Sequence, residues 1–320
     1  MSSVATQRVP ADKAAIQTAA KILRGGGLVA FPTETVYGLG ASAVSGEAVA
    51  KLYAAKGRPS FNPLISHVAS LEAAKCLAVF NEDAEKLARA FWPGPLTLLL
   101  PRKALIPDLV TSGLERVGLR CPDHALTRKL LRRLNFPLAA PSANPFGYIS
   151  PTTATHVNDQ LGTKVSYILD GGPCRIGLES TIVGFEDGET VVYRLGGIAV
   201  KAIADAVGPV RLAVSKSADP QAPGQLSSHY APHTRVVLGL PASAPAEPAQ
   251  AFGVLSFSRN HGFRHELVLS PEGDTAVAAQ RLFSCLRELD AKGLDVIHAE
   301  LAPDHGLGPA INDRLIRASF

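Results

Sequence analysis

Four apolar residues, Leu28-Val29-Ala30-Phe31, run from the Gly25-Gly26-Gly27 tract straight into Pro32-Thr33-Glu34-Thr35. A run this short, bounded by Gly and Pro, fits a buried strand and not a helix. It delivers hydroxyls and a carboxylate to a loop at the strand's carboxyl end, a favoured place for a site in α/β proteins. The residues before it, from about Ala11 to Arg24, alternate small apolar and charged side chains at helical spacing and stop at the glycines as a C-cap does. Helix, short buried strand and polar loop then recur along the chain, and that alternation confines it to the α/β class.

The spacing predicts a helix over 46–55, halted before Lys56-Gly57-Arg58-Pro59 because Pro59 disfavours its continuation. Further helices are expected over 82–91 and, strongly basic, over about 126–134. Strands are expected over 65–68, 96–100, 117–120, 138–140, 166–169, 181–185 and 190–193. Consecutive strands late in this region make the sheet mixed. The pattern breaks between about Leu212 and Thr234, which reads as an interdomain linker. A second turn-rich tract, Pro241 to Pro248, follows a strand at Val236-Val237-Leu238 and reads as a mobile surface loop. The remainder reads as a small βαβ-like unit: strand 253–257, helix 275–291, strand 295–299 and a closing helix near 310–317. The expected division is a first domain over 1–211, a linker or lid over 212–234, and a small Rossmann-like α/β domain over 235–320.

Composition excludes several classes. With 320 residues, 46% hydrophobic and 19% charged, the chain can bury a sizeable core and is no disordered tail. A net charge of +4 is too mild for a nucleic-acid surface yet suits an anionic substrate such as a nucleotide. Cys76, Cys121, Cys174 and Cys285 lie far apart with no C-x-x-C pair, so they read as reduced thiols without zinc or a disulfide framework. No apolar run approaches the roughly 20 residues of a membrane helix, and Arg8, Asp12 and Lys13 interrupt any signal core. A cytoplasmic protein is expected.

Several clusters are suited to chemistry. Lys56 and Arg58, separated by one Gly, with Asn62 close behind, combine a point charge and a planar fork and so suit a polyphosphate; a solvated loop is the plainer alternative. His67 sits in a strand-like run just beyond, either as a satisfied core residue or as a ligand contact. Thr33, Thr35 and Tyr37 would present three hydroxyls to one side if extended, with Glu34 facing the other way. Arg116 and Arg120 flank Val117-Gly118-Leu119 on one face of a strand and require anions. Ser142, Asn144 and Ser150 lie in turns after an apolar run, where hydroxyls and amides serve phosphate or ribose, or simply close the turns. Glu179-Ser180-Thr181 opens another strand and Tyr193-Arg194-Leu195-Gly196 closes the next. A P-loop, a dinucleotide fingerprint, a nucleophile elbow and an HExxH motif are all missing. Gly306-Leu307-Gly308 reads as a helix-start turn.

Taken in order, Pro32-Thr33-Glu34-Thr35-Val36-Tyr37-Gly38-Leu39-Gly40, Lys56-Gly57-Arg58-Pro59, Asn62-Pro63-Leu64, His67-Val68, Arg116 to Arg120, Pro141-Ser142-Ala143-Asn144 and Glu179-Ser180-Thr181 form a series. That series resembles the YrdC-like domain of L-threonylcarbamoyladenylate synthases, over about Ala11 to Val210. The tract Ala222-Pro223-Gly224-Gln225-Leu226-Ser227-Ser228-His229-Tyr230-Ala231-Pro232 and the domain behind it resemble the two-domain form.

The resemblance implies a YrdC-like twisted mixed sheet around a positively charged cavity, and synthesis of threonylcarbamoyl-AMP from L-threonine, bicarbonate and ATP. The product would serve threonylcarbamoylation of a tRNA adenosine through a downstream transferase complex, with tRNA met only indirectly and no membrane involved. The implied threonine contacts are Thr35, His67, Arg120, Ala140 and Ser180. The implied ATP contacts are Lys56, Arg58, Asn62, Arg116, Ser142, Asn144, Ser150, Arg194 and Tyr230, the last reaching back from the linker as part of a lid. Mg²⁺ would accompany ATP, with no protein ligand. A double-stranded RNA or tRNA binding module without catalysis is the competing reading. A hydrogenase-maturation carbamoyltransferase would carry the C-x-x-C pairs that are missing here.

Overall fold

The computed structural model describes residues 7–10, 12–213, 221–241 and 251–320. In chain order the first unit contains β1 (Gln7–Pro10), α1 (Lys13–Arg24), β2 (Val29–Phe31), β3 (Gly38–Ser42), α2 (Gly46–Lys56), β4 (Ile65–His67), α3 (Leu71–Lys75), α4 (Glu82–Phe91) and β5 (Leu96–Pro101). It continues with α5 (Asp108–Thr111), β6 (Arg116–Arg120), α6 (Ala125–Leu131), β7 (Leu138–Ala139), α7 (Ala154–Leu161), β8 (Tyr167–Asp170), β9 (Thr181–Glu186), β10 (Glu189–Arg194), α8 (Val200–Val207) and β11 (Val210–Leu212). The second unit contains β12 (Arg235–Leu238), β13 (Phe252–Ser256), β14 (Glu266–Val268), α9 (Thr275–Asp290), β15 (Val296–Ala299) and α10 (Gly308–Ala318).

Local chemistry sets these boundaries. Asp12 caps α1 by accepting the Ala15 N–H, and the helix buries Ala15, Ile16, Ala19, Ala20 and Leu23 as one stripe before stopping at Gly25. Ser45 caps α2, and Gly57 ends it in the left-handed conformation at φ 63°, turning the chain so that Arg58 leaves the helix axis. The strands form an eleven-stranded mixed sheet in the order β1-β8-β2-β3-β7-β4-β6-β5-β9-β10-β11, and a four-stranded sheet, β12-β15-β13-β14. All three pairings of the small sheet are parallel.

The largest apolar cluster packs Leu39, Leu52, Leu87, Leu98 and Leu119 with their neighbours under the helices of the first unit. Another joins Val36, Ile149 and Leu178 of the first unit to Tyr230, Leu282, Phe283 and Leu286, so the two units share an apolar seam. Gly177 lies in that seam at φ +79°, and a Cβ there would sit 2.5 Å from the Gln280 Cα of α9. The four cysteines are free thiols and only Cys76 is exposed. Among the described residues no helix is long and apolar enough to cross a membrane.

The α/β class and the small C-terminal α/β unit are as the sequence suggests, and the differences have physical causes. Gly38–Ser42, given no strand from the sequence, is a central strand pairing antiparallel with β2 and β7. Its glycines allow close approach: a Cβ on Gly40 would lie 2.6 Å from the Phe31 ring. The basic helix ends at Leu131, three residues early. The strands β1, β11 and β14 and the helices α3, α5, α7 and α8 were not anticipated. Residues 214–220 of the expected linker, and all of the 241–248 tract beyond Pro241, lie outside the described residues.

Candidate active site

The strands β4 and β6 make the floor of a cavity that gathers several of the candidate side chains. Pairing sets His67 beside Arg120 and Ile65 beside Gly118, and the period of two keeps Ile65 and His67 on one face. Arg58 from the loop after α2, Ser142 from the turn after β7, Glu179 and Ser180 before β9, and Arg194 at the end of β10 form the walls. The linker roofs the space with Pro223, Gly224, His229 and Tyr230.

Each cation is aimed by fixed partners. Arg58 Nη2 donates to Asn62 Oδ1 at 2.6 Å and to the Pro63 carbonyl at 2.9 Å, while Nε donates to the Asn62 carbonyl at 3.1 Å. Arg194 donates twice to the Ser180 carbonyl, at 3.1 and 2.9 Å, and once to Ser180 Oγ at 3.0 Å; its Nη1 holds the Pro223 carbonyl of the roof at 3.2 Å. Thr97 shares a 2.7 Å hydrogen bond with Ser180 from the other side. The Lys56 ammonium is buried behind the wall and donates to the carbonyls of Ser142, at 2.5 Å, and Asn144.

Burial first, and neighbouring cations after it, lower each of these groups. Burial, reinforced by Arg58, holds Lys56 well below the usual ammonium range. Burial lowers Arg58 to about 10 and also lowers Arg194. His67 falls to about 3 through burial and then the Arg120 charge, and His229 is pushed far down by burial and then by Arg58 and Lys56. Both imidazoles are therefore neutral near pH 7. The site has excess positive potential with neutral hydrogen-bonding groups between the cations, an arrangement that receives an anion.

The structure brings together Arg58, Ser142, Arg194 and Tyr230 of the expected ATP set, and His67, Arg120, Ala140 and Ser180 of the expected threonine set, on one cavity surface. Lys56, Asn62, Asn144 and Ser150 stand one layer behind: Asn144 Nδ2 holds the Pro145 and Tyr148 carbonyls, and Ser150 Oγ donates to Glu179 Oε1 at 2.5 Å.

Three expectations need correction. Residues 32–37 do not form an extended strand, so the three hydroxyls do not share a side. Thr33 lines the cavity, Thr35 Oγ1 is bonded to Thr33 Oγ1 at 2.7 Å, and Tyr37 donates away to the Gly172 carbonyl at 2.8 Å. Glu34 does not face away from the site but pairs with Arg120 at 2.7 Å. Arg116 sits outside the cavity wall, where it donates to Tyr193 Oη at 2.7 Å and pairs with Glu186 at 3.2 Å.

Thr33, Glu179, His229 and Gly224 were missed as contacts. Thr33 and Glu179 each stand within two residues of a group that was chosen, and His229 directly precedes Tyr230.

Comparison with known proteins agrees with this geometry. The family model described as Telomere recombination, covering Sua5, YciO and YrdC, matches residues 21–196. The model described as Threonylcarbamoyl-AMP synthase, C-terminal domain, matches residues 198–319. A threonylcarbamoyl-AMP synthase of Pyrococcus abyssi is 41% identical over 95% of this chain and 94% of the relative. One of Bacillus subtilis is 40% identical over 98% and 95%. The crystal structure of P. abyssi Sua5 complexed with L-threonine superposes with a TM-score of 0.90 at 39% identity, covering 98% of this chain and 96% of that one. With both family models in chain order and two full-length relatives near 40% identity, the chain belongs to the two-domain threonylcarbamoyl-AMP synthase family.

Proposed function

We propose that the chain condenses L-threonine, bicarbonate and ATP into L-threonylcarbamoyladenylate and pyrophosphate, as a nucleotidyltransferase. The observation that carries this reading is the convergence of Arg58, His67, Arg120, Ser180 and Arg194, from five separate segments, on one roofed cavity. In this reading the threonine amine combines with bicarbonate to give a carbamate and water. A carbamate oxygen then attacks the α-phosphorus of ATP in line, and the bond to pyrophosphate breaks. No protein nucleophile is required, so the rate comes from positioning and charge neutralisation.

Arg120 is the partner for the threonine carboxylate, and neutral His67 and Ser180 offer hydrogen bonds beside it. Arg58 and Arg194 neutralise phosphate oxygens, aimed by Asn62 and by the Ser180 carbonyl. Lys56, Asn144 and Ser150 hold the walls in place, and Tyr230 with His229 excludes water from a hydrolysable mixed anhydride. Mg²⁺ belongs to this reading as the companion of the ATP phosphates. The carboxylates nearest the cavity, Glu34 and Glu179, are already engaged by Arg120 and Arg314, so the chain's own contribution to the phosphates is cationic. The product suits delivery to a tRNA adenosine by a downstream transferase complex in the cytoplasm.

An RNA-binding module needs exposed cations to meet a phosphate backbone. Here Lys56 is 3% exposed, Arg58 8%, Arg120 4% and Arg194 5%, so none of the four is presented to a phosphate backbone.

The test is pyrophosphate release from ATP by the purified protein, expected only when L-threonine and bicarbonate are both present. Label from bicarbonate should appear in a labile adenylate on chromatography. Turnover without threonine overturns the reading.

A further inference from the structure

Arg314 is the bulkiest of the fully buried side chains among the described residues. It belongs to α10, in the C-terminal unit, yet most of its contacts lead to the cavity. Nε donates to Glu179 Oε2 at 2.8 Å, Nη2 to the Leu195 carbonyl at 2.9 Å, and Nη1 to Asp313 Oδ2 at 2.6 Å. Its guanidinium carbon lies 4.8 Å from the centroid of the Tyr230 ring, which also stacks on Phe283 at 5.8 Å. Glu179 is a cavity wall, Leu195 follows Arg194, and Tyr230 is the roof.

The roof is attached to the same helix a second time. Arg317 Nη1 donates to the Leu226 carbonyl at 2.6 Å, and the His229 N–H donates to the Arg317 carbonyl at 3.2 Å. Tyr230 itself is held at φ 64°, a left-handed conformation that costs a non-glycine residue about 1–3 kcal/mol and persists only where its surroundings over-determine it. A buried ion pair is a poor source of stability, because a well-packed apolar replacement is often neutral or better. What the pair supplies is a fixed geometry between roof and wall.

We propose that Arg314 is a positioning residue of the active site: through Tyr230 and Glu179 it fixes the roof against the ATP-side wall. The C-terminal unit is then a structural part of the ATP half of the cavity. This rests on the function proposed above. The threonine half depends on it less, since His67 and Arg120 stand on β4 and β6 and Ser180 is held by Thr97 and Arg194.

The experiment compares wild-type full-length protein with Arg314→Lys, which keeps a charge opposite Glu179 and loses the flat face over Tyr230 and the fork to Leu195. Adenylate formation gives kcat/KM for ATP, and calorimetry without ATP gives the dissociation constant for L-threonine. We expect kcat/KM for ATP to fall at least about 30-fold, with threonine affinity within about threefold of wild type and a cooperative melt. ATP kinetics within about threefold of wild type, or parallel losses for both substrates, overturn the proposal. If Arg314→Lys yields no folded protein, the double variant Glu179→Gln/Arg314→Met, which buries no lone charge, is read by the same two constants. A wild-type protein that makes no adenylate overturns the function reading instead, so the two failures are distinguishable.

Discussion

Arg120 donates from Nη2 to Glu34 Oε1 at 2.7 Å, with the two side chains only 5% and 1% exposed. The other Glu34 oxygen accepts the Asp123 N–H at 3.0 Å, and Arg120 Nε has no partner. Glu34 thus props one arm of the guanidinium and leaves hydrogen-bonding capacity for a ligand carboxylate. Arg120→Ala should abolish threonine binding and strand Glu34 as a lone buried charge, at about 3–5 kcal/mol of stability. Arg120→Ala/Glu34→Gln should recover most of that loss in a urea melt without restoring threonine binding by calorimetry. Recovery of both would make Arg120 merely structural.

Arg58 is aimed by its own loop, since Asn62 receives it through both side chain and backbone. Lowered to about 10, it still carries its charge at neutral pH. Arg58→Ala should reduce kcat/KM for ATP by about 10²- to 10³-fold, and Arg58→Lys by about tenfold or more because the fork is lost. Asn62→Ala, which frees the guanidinium without deleting it, should fall between wild type and Arg58→Ala. Steady-state pyrophosphate release measures all three, and near-normal turnover of Arg58→Ala would remove this cation from the phosphates.

The short apolar strands and the loops beyond them were legible because their boundaries are local: a Pro or Gly ends each run, and ionisable residues gather in the following turn. The strand at Gly38–Ser42 was not, because its glycines answer to the Phe31 ring and only the tertiary packing reveals that. Arg116 and Arg120 do share the parity that puts both on one face. Four residues of strand separate them by roughly 13 Å, and at the far end Tyr193 and Glu186 take up Arg116. Whether a residue lines the cavity or stands behind it was also hidden, as Lys56 and Ser150 show. The Glu179–Arg314 pair spans 135 residues, and nothing in either local segment announces the other.

His67 gives a pH dependence with a definite sign. Burial, then the Arg120 charge, lowers it to about 3 in the fold, against about 6.5 in an unfolded chain. Between those values the unfolded state binds a proton that the native state does not. Stability therefore falls as pH drops from about 6.5 toward 3, by up to about 1.4 kcal/mol per pH unit from this residue; above 6.5 it adds no slope. Urea melts of wild type and His67→Asn between pH 7 and 4.5 should show a shallower decline in the variant. Equal slopes would mean that this imidazole titrates in the fold as it does in a peptide.

Gly224 brings the roof backbone close against Tyr230 and Arg194. Its φ is +86°, and a Cβ there would lie 2.6 Å from Tyr230 Oη and 3.0 Å from Arg194 Cδ. The space beneath it is about 50 Å³, far below the ~300–1,000 Å³ of ordinary ligand sites, too small for ATP with the roof in this position. Gly224→Ala should penalise the closed arrangement through strained backbone and the displacement of Tyr230 or Arg194, together about 1–3 kcal/mol. That predicts a drop of about tenfold or more in kcat/KM for ATP, with threonine affinity unchanged. Gly188→Ala separates strain from crowding, because Gly188 has φ +83° but nothing within 4 Å of its added Cβ. It should lower the melting temperature and leave the ATP kinetics alone; if the two variants instead behave alike, contact between the 224 position and Tyr230 has no part in catalysis.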